Sequence, residues 1–94
     1  MAHTFLSRFN IKPEKVADFV RLVAPAEEIA SREKDTLAYK FYRLEGDNAF
    51  AVYESFTGPE GDEAHQANPE MEPIIAGMIE CIDGSYEREY LHDI

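Results

Sequence analysis

With 94 residues the chain has length for one small domain with a single core, so any further shell around a site must come from a partner. A composition 45% hydrophobic and 12% aromatic is that of an ordered globular protein, and a formal net charge of -10, from 19 acids against 9 bases, repels phosphate backbones and argues against nucleic acid. The longest nearly uncharged stretch, PIIAGMIECIDG, is too short for a bilayer span, and no basic flank with an apolar run opens the chain as in a signal peptide, so a cytoplasmic protein without a membrane partner is expected.

Residues 3 to 11 alternate Phe5, Ser7, Phe9 and Ile11 against Thr4, Leu6, Arg8 and Asn10, the pattern of a strand with one mainly apolar face. Pro13 opens a helix, where its missing N–H is harmless. Val16, Phe19, Val20 and Val23 then form one buried stripe, and Pro25 is expected to kink or interrupt the helix before AEEIASREK continues it.

Thr36 to Phe56 reads as a hairpin: TLAYKFYRLE, a turn at GDN, then AFAVYESF. TGPEG reads as a loop, and DEAHQA has length for one helical turn. Asn68 is placed to cap the next helix with Pro69 at its first position, unless Pro73 moves the start to itself. Met71, Ile74, Ile75, Met78, Ile79 and Ile82 recur at helical spacing, with Asp83-Gly84 as the stop. Cys81, the only cysteine, falls inside that apolar stripe and reads as core. SYEREYLHD closes the chain as a polar edge strand.

The order β-α-β-β-α-β is that of the ferredoxin-like α+β fold, a four-stranded antiparallel sheet with two helices on one face, and residues 1–94 form one such domain. Two helices cover only one face, yet the strands carry large side chains on both, so a homodimer through the open sheet face is expected.

The segments FNIKPEKVADFV, APAEEIASREKDTLAYKFYR, FAVYESF and AHQANPEM together resemble the antibiotic-biosynthesis-monooxygenase family of the dimeric α+β barrel superfamily, over nearly the whole chain. Tyr39, Tyr53, Glu54, Phe56, Ala64, His65 and Pro69 keep the family pattern. Lys34-Asp35 replaces the usual Pro-Gly turn, and Glu70 stands where a second histidine is usual, which leaves a two-histidine mechanism without one member. The resemblance implies oxygenation without a cofactor: a base generates an electron-rich anion of a small aromatic, quinol or enolisable substrate, and the anion reduces O2. At fold level it also extends to haem-degrading oxygenases and to an isomerase-like enzyme, and the fold alone selects no reaction. A non-catalytic or regulatory ligand-binding protein is the reading from a different class, and haem degradation ranks below both because no proximal histidine stands on the second helix.

For that chemistry His65 is the candidate base, since imidazole titrates near neutrality. Glu54 shares a strand face with Phe50, Val52 and Phe56, where a lone carboxylate is costly. A salt bridge to Arg8 or Arg43, a cap on the loop before His65, and support of His65 all account for it. Ser7 and Arg8 are pocket candidates because one of them must face the helices, and Tyr39, Tyr53, Met71 and Ile75 are candidate substrate contacts, each also explicable as packing.

The letters D-E-A-H at residues 62–65 signal nucleotide hydrolysis only beside a phosphate loop, and the chain has no such loop. His65 with Glu70 lacks metal-ligand spacing, so no metal is expected there. His3 and His92, near matching ends of the first and last strands, form at most a surface cluster with Asp93.

Overall fold

The structure, a computed structural model, describes residues 2–94. Its elements follow the order β1 (His3–Ile11), a 3-10 turn (Pro13–Lys15), α1 (Val16–Ala30), β2 (Thr36–Arg43), β3 (Ala49–Phe56), α2 (Pro59–Ala67), α3 (Glu72–Cys81) and β4 (Ile82–Leu91). The strands form one antiparallel sheet in the order β2-β3-β1-β4, the ferredoxin-like arrangement, with β1 central and β4 at an edge. The extents of 38 × 33 × 18 Å are those of one sheet and one helical layer, which pack about 10 Å apart.

Strand register sorts the side chains. Phe5, Ser7 and Phe9 stand opposite Glu54, Val52 and Phe50 of β3, and these stand opposite Tyr39, Phe41 and Arg43 of β2. Because neighbours across an antiparallel pair share a face, all of these point toward the helices, and Arg88 and Tyr90 of β4 join them through Ser7 and Phe5. Phe9, Ile11, Phe19, Ala26, Ala30, Phe50, Val52, Met71, Met78 and Cys81 make the core between the layers. The opposite face carries Leu6, Arg8, Tyr42 and Tyr53, and no helix among the described residues covers it.

Pro25 does not interrupt α1, which runs unbroken from Val16 to Ala30. The ring removes one N–H from the bonding pattern of Arg21, but both residues lie on the exposed side, where the free carbonyl is open to solvent, while Phe19, Ala26 and Ala30 hold the other side to the core.

The second crossover contains two helices rather than one. Pro59, Glu60 and Gly61, expected in a loop, form the first turn of α2, with Gly58 at its N-cap and the acids Glu60 and Asp62 at the positive end of the helix dipole. Gly61 allows α2 to seat: a Cβ there would lie 3.1 Å from the Asp35 carbonyl oxygen and 3.1 Å from Phe56 Cβ.

Asn68 ends α2 in an extended conformation, and its carbonyl accepts the N–H groups of Met71 and Glu72, so α3 starts at Glu72 with Pro73 in its first turn rather than at Pro69. α3 ends at Cys81 and Ile82, expected on its stripe, opens β4, so the helix stops before Asp83-Gly84 rather than at them. Both lie inside β4, where Gly84, at φ +86°, occupies a bulge whose register shifts between Arg8 and Asn10.

Candidate active site

The α1–β2 turn, β1, β3, α2 and β4 bring their polar groups together under the helical layer. Asp62 and His65, three residues apart on α2, face the sheet, whereas Glu63 and Ala64 between them are exposed. The His65 ring is 2% exposed and lies against Tyr39 and Phe56, at centroid distances of 4.6 Å and 5.4 Å. Its Nδ1 is 2.8 Å from Glu33 Oε1, in the turn between α1 and β2. The same carboxylate accepts the Thr36 hydroxyl at 2.8 Å and the Asn68 side-chain amide at 2.8 Å. A carboxylate accepts, so Nδ1 is the donor of this contact and Nε2 is the ring nitrogen left to face the cavity side.

Nε2 is turned toward Glu54, whose Oε1 is 3.9 Å away, beyond hydrogen-bond reach. Glu54 stands between Phe5 and Tyr39 in its cross-strand row. Burial pushes its carboxyl up to about 8; the Arg88 charge opposes this, and the neighbouring Asp62 and Glu33 charges add to it. At neutral pH Glu54 is therefore largely protonated. Burial, with the charges of Glu54 and Glu33, also holds the Tyr39 phenol far above its ordinary value.

Arg88 is the cation of the site. Its guanidinium lies 4.0 Å from the Phe5 ring centroid, and one nitrogen donates to Asp62 Oδ2 at 2.6 Å. Burial alone would raise the Asp62 carboxyl, but hydrogen bonds from Arg88 and Gln66 and the Arg88 charge outweigh it and hold Asp62 below the usual carboxylate range. Arg88 is thus a pinned charge rather than a mobile one.

These groups border a cavity of about 140 Å³ between sheet and helices. Ser7, Glu54, His65 and Arg88 line its polar side, and Phe9, Phe19, Phe41, Val52, Ile75 and Met78 its apolar side. Gln66 and Ile79 also line it and are exposed, which puts the mouth between α2 and α3.

Of the residues singled out in the sequence, His65, Glu54, Ser7, Tyr39 and Ile75 meet at this cavity. Arg8 and Tyr53 do not: strand alternation puts them on the opposite face, where Arg8 donates to Glu89 at 2.6 Å. Met71 is fully buried in the core, away from the cavity wall. Among the described residues no salt bridge joins Glu54 to Arg8 or Arg43, whose guanidinium lies 4.7 Å over Phe50. Glu33 rather than Glu54 orients His65.

Glu33, Asp62 and Arg88 escaped the sequence reading. Glu33 is one acid in an acid-rich helix end and nothing marks it. Asp62 and Arg88 left faint signals, one in its three-residue spacing from His65 and the other in sharing a strand face with Tyr86 and Tyr90.

Glu70, in place of the second histidine, is exposed outside the cavity and pairs with Arg32 at 3.1 Å. His3 turns to Asp62 at 3.6 Å rather than to His92, which is exposed. Among the described residues no group of three or more His, Cys, Asp or Glu side chains is arranged to hold a metal ion.

Residues 3–76 match the antibiotic biosynthesis monooxygenase family. The chain belongs to this family. The matched part of the monooxygenase-family domain contains Ser7, Glu33, Glu54 and His65 and ends before Arg88. Solved structures share the fold. A conserved protein from Methanosarcina mazei Go1 is 22% identical with TM-score 0.89, covering 100% of this chain and 94% of its own. An antibiotic biosynthesis monooxygenase is 17% identical with TM-score 0.89, at 100% and 99% coverage. A point mutant of SnoaB, a cofactor-independent oxygenase from Streptomyces nogalater, is 18% identical with TM-score 0.77, at 98% and 92% coverage. No curated protein sequence matches the chain. No helix among the described residues is long and apolar enough to cross a membrane.

Proposed function

We propose that this family member is a cofactor-independent monooxygenase acting on a small aromatic, quinol or enolisable molecule, with His65 as its base. The supporting observation is a buried imidazole anchored through Nδ1 to Glu33 at 2.8 Å, with Nε2 directed at a mainly apolar cavity. A base within reach of a bound hydroxyl or enol is what proton abstraction needs.

His65 Nε2 takes the proton, and the anion that forms lies near the pinned Arg88 guanidinium, a preorganised charge in the cavity wall. The anion is electron-rich and reduces O2. One oxygen atom ends on a substrate carbon, and the other leaves as water with the two hydrogens the substrate gives up; the substrate supplies all the electrons. Glu54, protonated at neutral pH, sets no fixed negative charge against the substrate anion and can donate to its oxygen.

Oxygen uptake with hydroquinone or anthrone tests this directly. His65→Ala should lower kcat by about 10² to 10⁴-fold, the usual worth of a general base. Equal rates in the variant and the parent would remove His65 from the mechanism.

The same proposal includes a homodimer. Leu6, Tyr42 and Tyr53 share the sheet face that no helix covers, and Tyr42 is 50% exposed there, which supports closure of two sheets face to face.

A further inference from the structure

The cavity's dimensions say which of the candidate substrates fits, given that this cavity is the substrate site. Its far end is closed by an interlocked aromatic group. The Phe19 ring, 1% exposed, lies 5.0 Å from Phe50, 5.6 Å from Phe9 and 5.8 Å from Phe41, all centroid distances of mutual contact. The near end is closed by His65 with Tyr39 and Phe56 packed against it. Between these ends about 140 Å³ is free. A cavity of about 150 Å³ walled by Leu, Ile and Phe holds one benzene ring, and a three-ring skeleton has more than twice that carbon framework.

Polarity divides the cavity the same way. Glu54 and Tyr39 lie in one cross-strand row, and Arg88, Ser7, Val52 and Phe41 in the next, so the ionisable groups gather beside His65, and the far end is lined by Phe9 and Phe19 with the half-exposed Tyr86 beside them. A ligand that satisfies both halves has a hydroxyl on one edge and a single ring behind it.

We infer that the site selects monocyclic phenols and quinols, and that the Phe9–Phe19–Phe41–Phe50 cluster excludes three-ring anthrone-type molecules. The far wall sets the limit: a fused ring system that placed its hydroxyl at His65 would have to displace Phe19, which close-packed interiors resist, or leave its outer rings in solvent beyond the mouth at Gln66 and Ile79, where they gain no burial.

The test is anaerobic titration calorimetry of the full chain with 1,4-hydroquinone, 1,4-dihydroxynaphthalene and anthrone, followed by oxygen uptake with each. Hydroquinone should bind at least tenfold more tightly than anthrone, with the naphthalene between them. Phe19→Leu should shrink the hydroquinone preference over 1,4-dihydroxynaphthalene by threefold or more; Met78→Ala, on the helical wall, serves the same purpose should Phe19→Leu fail to fold. Anthrone binding as tightly as hydroquinone, or no binding by any of the three, overturns the inference. Preferential hydroquinone binding without oxygen uptake would uphold the size limit and defeat the monooxygenase reading. Anthrone binding best and being oxygenated would do the reverse.

Discussion

His65 draws its chemical character from Glu33, and Glu33 in turn is held by Thr36 and Asn68. A carboxylate so fully occupied fixes the imidazole tautomer and favours the imidazolium formed when the base takes its proton. Glu33→Gln keeps the shape and removes the charge, so kcat in oxygen uptake should fall by roughly 10²-fold with KM little changed; an unchanged kcat would leave Glu33 a purely structural role. Glu54 makes a separate prediction. Its carboxyl sits near 8 folded against an ordinary 4.5, so the folded state holds a proton that the unfolded state loses as pH rises above about 4.5. Stability is fully present below that value and declines until about pH 8, by up to about 5 kcal/mol over the window. Glu54→Gln should flatten urea-denaturation stability between pH 5 and 8, and a variant that keeps the full slope would show that Glu54 does not carry it. Activity should also fall above about pH 8 as Glu54 ionises beside the substrate anion, and Glu54→Gln should remove that limb.

The placement of these residues depends on α2, the helix that presents Asp62 and His65 together. Its helical preference is weak, and it seats only because Gly61 leaves room for the Asp35 carbonyl and Phe56. Gly61→Ala sets two effects against each other. Ala favours the helix by about 1 kcal/mol over Gly, but its methyl would meet both backbone and side chain at 3.1 Å. Neither Asp35, whose carbonyl accepts Thr57 N–H, nor the buried Phe56 can retreat freely, so the contact should win. The expected outcome is a net loss of about 1 to 2 kcal/mol in chemical denaturation, together with a weaker hydroquinone response; a gain in stability would mean that α2 shifts without cost. The sheet-edge contact of Glu27 is of the same tertiary kind: a carboxylate on α1 accepts the Phe41 N–H at 2.9 Å and blunts an otherwise open strand.

In the molecule as a whole, one face of the sheet is built into a core and the other carries Leu6, Tyr42 and Tyr53 without cover. If that face joins two copies, sedimentation should show a dimer, and Leu6→Asp or Tyr53→Asp should give folded monomers with an unchanged far-UV spectrum; a monomeric parent protein would refute the dimer. The elements themselves were legible in the chain. Period-two alternation in residues 3–11, the branched and aromatic runs on either side of the GDN turn, and the helical stripe of Met71, Ile74, Ile75, Met78 and Ile79 are local patterns, and local patterns set which face of an element is apolar, although the stripe's last member, Ile82, belongs to β4. Ser7, Glu54 and His65 could be singled out because a polar group on an apolar face, or a lone imidazole, stands out without knowledge of its neighbours. Glu33, Asp62 and Arg88 could not, since an acid among many acids or an arginine on a polar strand acquires its meaning only from what it touches. Sequence pattern sufficed for the strands and most of the buried faces, because burial follows residue periodicity, but not for the extent of α2 or for Val20, which is exposed on α1. Folding alone decided which carboxylate orients His65, which cation lines the cavity and how large that cavity is, because those depend on contacts between residues 26 to 32 positions apart.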